Sequence, residues 1–183
     1  NVTGAGYYLI TDTSDDTTDV VSRYMLAVVG NTSITTKSSD VPKFEKKVYE
    51  NSTEAATDGA WQDSADYQMG DTVPFKLTAT MPDNYANYTK YYLEFQDDMD
   101  PGLTLNKNSI VVNGYIGTST SPTIIDASQY ILTTKSEGKS EHTFDIVFTD
   151  LQPRTYTKVE VEFNAQLNQM AQVGSKVGNV NRS

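Results

Sequence analysis

Apolar and polar residues alternate along most of this chain, in short runs separated by turn-forming residues. In residues 72–81 (TVPFKLTATM), Val73, Phe75 and Leu77 share one face of a strand, because successive side chains of a strand point to opposite faces. This period of two residues predicts half-buried β-strands. The other predicted strands are 7–10, 22–29, 33–36, 41–49, 91–97, 109–113, 130–133, 142–149 and 156–167.

Many short strands at regular spacing are typical of an antiparallel β-sandwich, and no segment has a helical period. Residues 1–36 contain only two or three strands, which are too few to bury a core. We expect them to be the C-terminal strands of a preceding domain or an edge docked on the main one. Residues 37–183 are expected to form one sandwich domain whose last strand is truncated, because the sequence stops soon after that strand starts.

Composition excludes several classes of function. The 183 residues include no cysteine and one histidine, and the net charge is −10. The chain therefore has no disulfide, thiolate zinc site or cysteine nucleophile, and its charge disfavours nucleic acids and anionic membranes as partners. No stretch is long and apolar enough to insert in a membrane. The acidic loop 12–19 (DTSDDTTD) offers carboxylates that could bind Ca²⁺, but it lacks the glycine and the final glutamate of an EF-hand, so we expect a solvated loop without a metal. We also expect no cofactor.

Two charged residues occupy faces that the pattern assigns to the core. Lys46 shares its face of the strand with Phe44 and Val48, and Asp97 shares its face with Phe95. Buried lysine is costly unless it is paired, so Lys46 is expected either to reach water from an edge strand or to have a partner. Asp97 is expected either to start the following turn or to be that partner.

A buried lysine, a buried carboxyl group and an asparagine can together perform one specific reaction. Burial lowers the pKa of a lysine and raises that of an aspartic acid, which favours the neutral form of each. A neutral amine can attack the side-chain carbonyl of asparagine while the acid donates a hydrogen bond to that carbonyl. Ammonia leaves and a Lys–Asn isopeptide bond remains. The fold supplies the proximity that the reaction needs.

Five stretches make the sequence resemble the backbone (major) pilins of Gram-positive bacteria, which carry isopeptide-forming, Cna-type immunoglobulin-like domains. The stretch 40–48 (DVPKFEKKV) resembles their first strand, and 65–75 (ADYQMGDTVPF), with Trp61 before it, resembles a characteristic segment of the family. The stretch 92–103 (YLEFQDDMDPGL) resembles the strand that ends in the catalytic acid, although Gln96 stands where relatives often have histidine. The stretch 177–181 (VGNVN) resembles the entry to the last strand, and 4–10 (GAGYYLI) resembles the tail of a preceding pilin domain.

The resemblance implies a role for each matching residue. Lys46 would be the amine, Asp97 the catalytic acid and Asn181 the amide, in a core walled by residues such as Phe44, Phe95 and Phe163. Asn179 is the alternative amide. Lys47 and Glu94 are the alternative amine and acid, but both lie on the opposite faces of their strands.

The resemblance also implies how the protein is assembled. Lys37 resembles the lysine that sortase joins to the next subunit, with Thr36 where the pilin motif has proline. The implied partners are sortase and other pilin subunits, and the implied location is a fimbrium on the cell wall, reached by secretion. The protein would be a structural shaft subunit rather than an enzyme. The alternative is an adhesin module of the same fold that binds a host protein or glycan through an exposed patch of Tyr85, Tyr88, Tyr91 and Tyr92.

Overall fold

The computed structural model describes residues 6–11, 19–20, 23–28, 39–50, 60–151, 156–171 and 181–182, with the backbone alone for 6–11, 19–20, 23–28, 39–40 and 181–182. The predicted all-β class is confirmed, since regular structure in these residues is strand apart from three single 3-10 turns. The strands are β1 (Gly6–Thr11), β2 (Asp19–Val20), β3 (Arg23–Val28), β4 (Ser39–Asp40), β5 (Lys43–Glu50), β6 (Ala60–Gln62), β7 (Thr72–Thr80), β8 (Leu93–Met99), β9 (Leu103–Ile116), β10 (Thr123–Ile124), β11 (Ile131–Thr134), β12 (Phe144–Phe148), β13 (Tyr156–Leu167) and β14 (Asn181–Arg182).

Two antiparallel sheets form the sandwich. The six-stranded sheet has the order β10-β9-β13-β7-β5-β6, and the four-stranded sheet has the order β11-β12-β8-β14. The strand β13 lies at the centre of the six-stranded sheet, where it pairs with β7 along one edge and β9 along the other. Short strands β6 and β10 were not predicted, because two or three residues are too few to show a period. The short strand β14 begins at Asn181, where the start of a last strand was expected.

The core lies between the two sheets and is built from the residues that alternation assigned to inner faces. Phe75 and Phe163, paired across β7 and β13, stack with ring centroids 5.6 Å apart. Phe144 of the four-stranded sheet contacts Phe163 edge to face at 4.9 Å. All three rings are at least nine-tenths buried. Aromatic packing across the interface therefore holds the sheets together.

The strand β9 is much longer than the predicted 109–113. Its pairing with β13 shifts register near the middle: Glu162 lies opposite Val111, but Asn164, two residues later, lies opposite Asn106. The extra residues form a bulge, in which the Ser109 hydroxyl donates to the Asn106 carbonyl and accepts from the Asn164 backbone N–H at 2.8 Å. A bulge breaks the period-two pattern on one strand, so the alternation rule finds only the part beyond it.

The N-terminal strands pair among themselves and with the segment before β5. The strands β1 and β3 form an antiparallel pair, and β2 pairs with β4, so that Val20 lies opposite Ser39. The predicted strand at 33–36 and the acidic loop 12–18 lie outside the described residues. The division of the chain at residue 36 stays a prediction. Within the described part of the chain, no helix has the length and apolarity needed to cross a membrane.

Candidate functional site

The register of β5 on β7 places Lys46 on the inner face of the six-stranded sheet. Phe44 lies opposite Ala79, Lys46 opposite Leu77, and Val48 opposite Phe75. The β7 partners are core residues, so their faces fix the face of β5. The Lys46 side chain is only 15% exposed. This burial follows from sheet pairing, and the lysine does not escape to water at the edge.

Asp97 occupies the corresponding position on the opposite sheet. Along β8, Leu93, Phe95 and Asp97 are buried in alternation, and Asp97 has no exposed surface. Its partner across the sheet is Phe144, a core residue on β12. Asp97 therefore does not serve as a surface turn residue, although the turn at residues 100–102 begins close behind it.

Lys46 and Asp97 meet across the sandwich. The Lys46 Nζ donates a hydrogen bond to the Asp97 Oδ2, which joins β5 of one sheet to β8 of the other. The ring of Phe75 lies 5.8 Å from the same nitrogen. The two groups thus lie in contact inside a largely aromatic core, 51 residues apart in the sequence.

Burial determines the ionisation of the amine. Removal from water lowers the pKa of Lys46 below its usual 10.5, and this effect is larger than the opposing effect of the Asp97 carboxylate. The cause is the loss of hydration by the ammonium ion in an apolar environment. A larger fraction of Lys46 is therefore in the neutral, nucleophilic form than for a surface lysine.

One wall of this environment differs from the expectation. Phe95 and Phe163 are buried, but Phe44 is 52% exposed, although its ring contacts that of Phe95 edge to face at 5.5 Å. Phe44 borders a groove of about 380 Å³ that opens between β5 and β8. Alternation predicts the face of a residue but not whether another strand covers it.

The strand β14 brings the backbone of Asn181 to the same end of β8. Asn181 pairs with Met99, and Arg182 pairs with Asp98. Met99 is two residues from Asp97 on the same face of β8. The alternative amide Asn179 and the sortase-type lysine Lys37 lie outside the described residues.

The alternative amine and acid point away from the core. Lys47 lies on the outer face of β5, where its Nζ donates to Asp63 Oδ1 at 2.7 Å, and this contact raises its pKa. Glu94 lies on the outer face of β8 and accepts a hydrogen bond from the Tyr92 hydroxyl at 2.6 Å. Neither shares the inner-face environment of Lys46 and Asp97.

The four tyrosines considered for a binding patch do not form a single exposed surface. Tyr85 is buried in the core and donates to the Leu151 carbonyl at 3.2 Å. Its ring packs edge to face on Tyr91 at 4.8 Å, and Tyr91 packs on Tyr88 at 5.6 Å. Only Tyr92 projects into solvent, at 59% exposure. The arrangement is mainly a structural cluster at the edge of the core.

Sequence reasoning missed an ionic network on the outer face of the six-stranded sheet. Glu160 is buried there between Lys158, 2.8 Å from it, and the Tyr115 hydroxyl, which donates to it at 2.7 Å. Burial and this carboxylate raise the pKa of Tyr115 to about 12. Lys76 lies between the Trp61 ring at 4.3 Å and Glu162 at 3.2 Å. The alternation along β13 places Lys158, Glu160 and Glu162 on the outer face of the sheet, but it does not show that Glu160 is buried there.

Among solved structures, the fold is similar to those of streptococcal pilus backbone proteins. The T6 backbone pilin of serotype M6 Streptococcus pyogenes matches 98% of this chain, with a TM-score of 0.59 and 21% identity, over 39% of its own length. The pilus backbone RrgB from Streptococcus pneumoniae matches 73% of this chain, with a TM-score of 0.48 and 22% identity, over 48% of the solved chain. This chain thus spans less than half the length of either structure.

No protein-family model matches the chain, and no curated protein does. The similarity to the T6 pilin structure is a similarity of fold, and it agrees with the expected immunoglobulin-like sandwich. The sequence stretches that resemble backbone pilins thus lie in a chain whose fold is similar to part of a streptococcal backbone pilin structure.

Proposed function

We propose that this chain is part of the shaft subunit of a sortase-assembled pilus, stabilised by an isopeptide bond between Lys46 and Asn181. The observation that carries the proposal is the contact of Lys46 Nζ with Asp97 across an apolar core. An unreacted ion pair in this position would contribute little to stability, because the cost of desolvating two charges offsets their attraction. A reaction in which the amine forms a covalent bond would explain why a lysine and an aspartic acid lie together in the core.

The reaction follows from the two neutral groups. A proton passes from the Lys46 ammonium to Asp97, which leaves an amine and a carboxylic acid. The amine nitrogen attacks the side-chain carbonyl carbon of Asn181 while the Asp97 hydroxyl donates to the carbonyl oxygen. The attacking nitrogen gives up a proton, Asp97 carries a proton to the amide nitrogen, and this nitrogen leaves as ammonia, so that one C–N bond forms and one breaks. Asp97 acts as the general acid and proton carrier.

The position of β14 supports Asn181 as the amide. Its pairing with Met99 brings the backbone of Asn181 to the end of β8, two residues beyond Asp97. The bond would link β5, the first strand of the sandwich, to β14, the last. Load applied between the two ends of the domain would then pass through covalent bonds, which suits a shaft under tension. The chemistry occurs once per molecule, so the proposed role is structural rather than enzymatic.

Assembly would use a different lysine. Lys37 lies in a stretch of Thr, Ser and Asp before β4, with no apolar residue beside it. A sortase acyl-enzyme needs an amine that it can reach, whereas the isopeptide reaction needs an amine shielded from water. The proposed partners are therefore sortase and further copies of the subunit, and the proposed location is the cell surface.

Intact mass tests the reaction directly. The purified chain should be lighter than its sequence by one ammonia. Lys46→Ala and Asp97→Asn should each have the full mass expected from their sequences, and Asp97→Asn preserves the shape of the side chain. Lys47→Ala is the matched control and should still lose ammonia. A wild-type chain at its full sequence mass, folded by circular dichroism, would refute the proposed bond.

A further inference from the structure

The last two residues of β8 lie beyond the backbone pairing that holds the rest of the strand to β12. That pairing ends where Asp97 lies opposite Phe144, whereas β8 itself continues to Met99. On its other edge, β8 pairs with β14 through Asp98 and Met99. The two residues that hold β14 are therefore residues that the β12 ladder does not hold.

Hydrogen bonds to the segment that leads into β12 hold these two residues instead. The Thr143 hydroxyl accepts a hydrogen bond from the Met99 backbone N–H at 3.0 Å. The Thr143 backbone N–H donates to Asp98 Oδ1 at 3.3 Å, and Asp98 Oδ2 lies 2.8 Å from His142 Nδ1. We call these three hydrogen bonds the β8 bracket. They connect the end of β8 to the β12 side through side chains, where the backbone ladder has ended.

The residues of the β8 bracket are themselves anchored. The Thr143 carbonyl accepts from the backbone N–H of Lys135, the first residue of a single 3-10 turn. The His142 backbone N–H donates to the Ser140 hydroxyl at 2.8 Å. Met99 packs against the hydrophobic core. Both ends of the hydrogen bond between Thr143 and Met99 are thus held by contacts that do not involve β14.

Backbone geometry relates the β8 bracket to the position of β14. The N–H and C=O groups of successive residues in a strand point to opposite edges. The Met99 N–H points to the β12 edge, where Thr143 lies. The backbone groups of Asp98 therefore point to the β14 edge, where Arg182 is its partner, and Asn181 lies opposite Met99. A shift of Met99 would thus shift the backbone of Asn181.

We propose that Thr143 is a positioning residue for the isopeptide reaction, because it fixes the end of β8 against which the backbone of Asn181 is placed. This inference rests on the proposed bond between Lys46 and Asn181. Thr143 acts through Met99 and β14, not on the reacting atoms. Misplacement of reacting groups by about 1 Å slows a reaction by about 100-fold, so one hydrogen bond at this point has a measurable effect on the rate.

The test measures the rate of bond formation in the full chain. The chain is isolated in denaturant from inclusion bodies, where the reacting groups have not been brought together, and is refolded by dilution. Intact mass follows the loss of one ammonia with time, and circular dichroism follows folding separately. The rate is then compared among chains that have already folded.

The variants isolate the hydroxyl group of Thr143. Thr143→Val preserves the shape of the side chain and removes the hydroxyl, whereas Thr143→Ser retains it. Thr133→Val is the matched control, because the Thr133 hydroxyl also makes one side-chain hydrogen bond, to Asp145 Oδ2 at 3.3 Å. Thr133 lies on β11, at the opposite edge of the same sheet from β14.

Folded Thr143→Val should lose ammonia roughly 10- to 100-fold more slowly than the wild type. Thr143→Ser and Thr133→Val should both react at close to the wild-type rate. If Thr143→Val does not fold, Thr143→Ala replaces it, and the same slowing is expected.

A wild-type rate in the folded variant that lacks the Thr143 hydroxyl would overturn the positioning role. Equal slowing in Thr133→Val would overturn it as well, because the loss of any hydrogen bond in the sheet would then have the same effect. A wild-type chain that folds without losing ammonia would instead refute the bond itself, and this inference with it. The two failures are therefore distinguishable by the mass of the wild type alone.

Discussion

Lys46 and Asp97 lie in the apolar core because each occupies an inward-facing position of its strand. Each lies on the inward face of its strand, and each strand is held in place by partners deep in the core. The sandwich brings the two faces together, and the side chains meet. A one-residue shift in either strand would send the charged group to solvent. The contact is therefore as precise as the sheet registers that create it.

A second pair of titratable side chains, His142 and Asp98, lies at the surface beside the site. His142 Nδ1 is 2.8 Å from Asp98 Oδ2, and Asp98 Oδ1 accepts from the Thr143 backbone N–H. The Asp98 carboxylate raises the pKa of His142 above 6.5, and His142 lowers the pKa of Asp98 below 3.8. The pair lies at the point of β8 where β14 is attached.

This pair predicts a pH dependence of stability. The histidine contribution is complete below pH 6.5 and is lost as the pH rises through the raised pKa. The aspartate contribution is present above pH 3.8 and is lost as the pH falls through the lowered pKa. His142→Gln should therefore lower the melting temperature most near pH 5 and have little effect at pH 9. A difference that is constant between these two pH values would contradict the assignment.

At the scale of elements, alternation predicted the principal strands and the faces that they bury. Strands β7, β8, β12 and β13 lie where the pattern placed them. The parity of Lys46 and Asp97 followed from the same pattern. The bulge in β9, the short edge strands and the exposure of Phe44 did not follow, because these features depend on which strands become neighbours.

Where β9 pairs with β13, Gly114 lies close to the ring of Tyr156, so a larger residue at position 114 should destabilise the domain. A Cβ atom on Gly114 would lie 2.4 Å from the Tyr156 ring, well inside van der Waals contact. Tyr156 is buried, so the ring has little room to move. Gly114→Ala should destabilise the domain by about 1–3 kcal/mol, measured by urea unfolding.

A double-mutant cycle identifies the cause of this effect. In a Tyr156→Ala background, the added methyl group meets no ring, and Gly114→Ala should cost much less than in the wild type. Equal costs in the two backgrounds would show that the tyrosine is not the obstacle.

At the scale of the whole molecule, the proposed bond changes the mechanics of the domain. It would close a loop of about 135 residues, the separation of positions 46 and 181. By analogy with a disulfide, such a loop restricts the unfolded chain by about 5 kcal/mol. The polymer would then consist of domains whose ends are joined covalently as well as by packing.

Loss of the proposed bond should therefore reduce stability substantially. Lys46→Ala should lower the melting temperature by roughly 10–20 °C for a domain of this size and should increase cleavage by protease. Lys47→Ala, which removes an exposed lysine from the same strand, should change the melting temperature by a few degrees at most. A lost bond with an unchanged melting temperature would contradict a stabilising role.

Polymer assembly provides a further prediction at this scale. In cells that build the pilus, Lys37→Arg should abolish the ladder of covalent multimers on denaturing gels, while the monomer remains folded and secreted. Arginine preserves the charge but does not act as the acyl acceptor. Lys43→Arg is the matched control, and its ladder should persist. A ladder that persists in Lys37→Arg would assign the junction to another lysine.

The proposed isopeptide bond is a covalent link between the first and last strands of the sandwich, β5 and β14. The most direct measurement is tandem mass spectrometry of the digested wild-type chain. We predict a branched peptide that joins the segment containing Lys46 to the segment containing Asn181, lighter by one ammonia than the two separate peptides. Recovery of both segments only as separate, unmodified peptides from folded protein would contradict it.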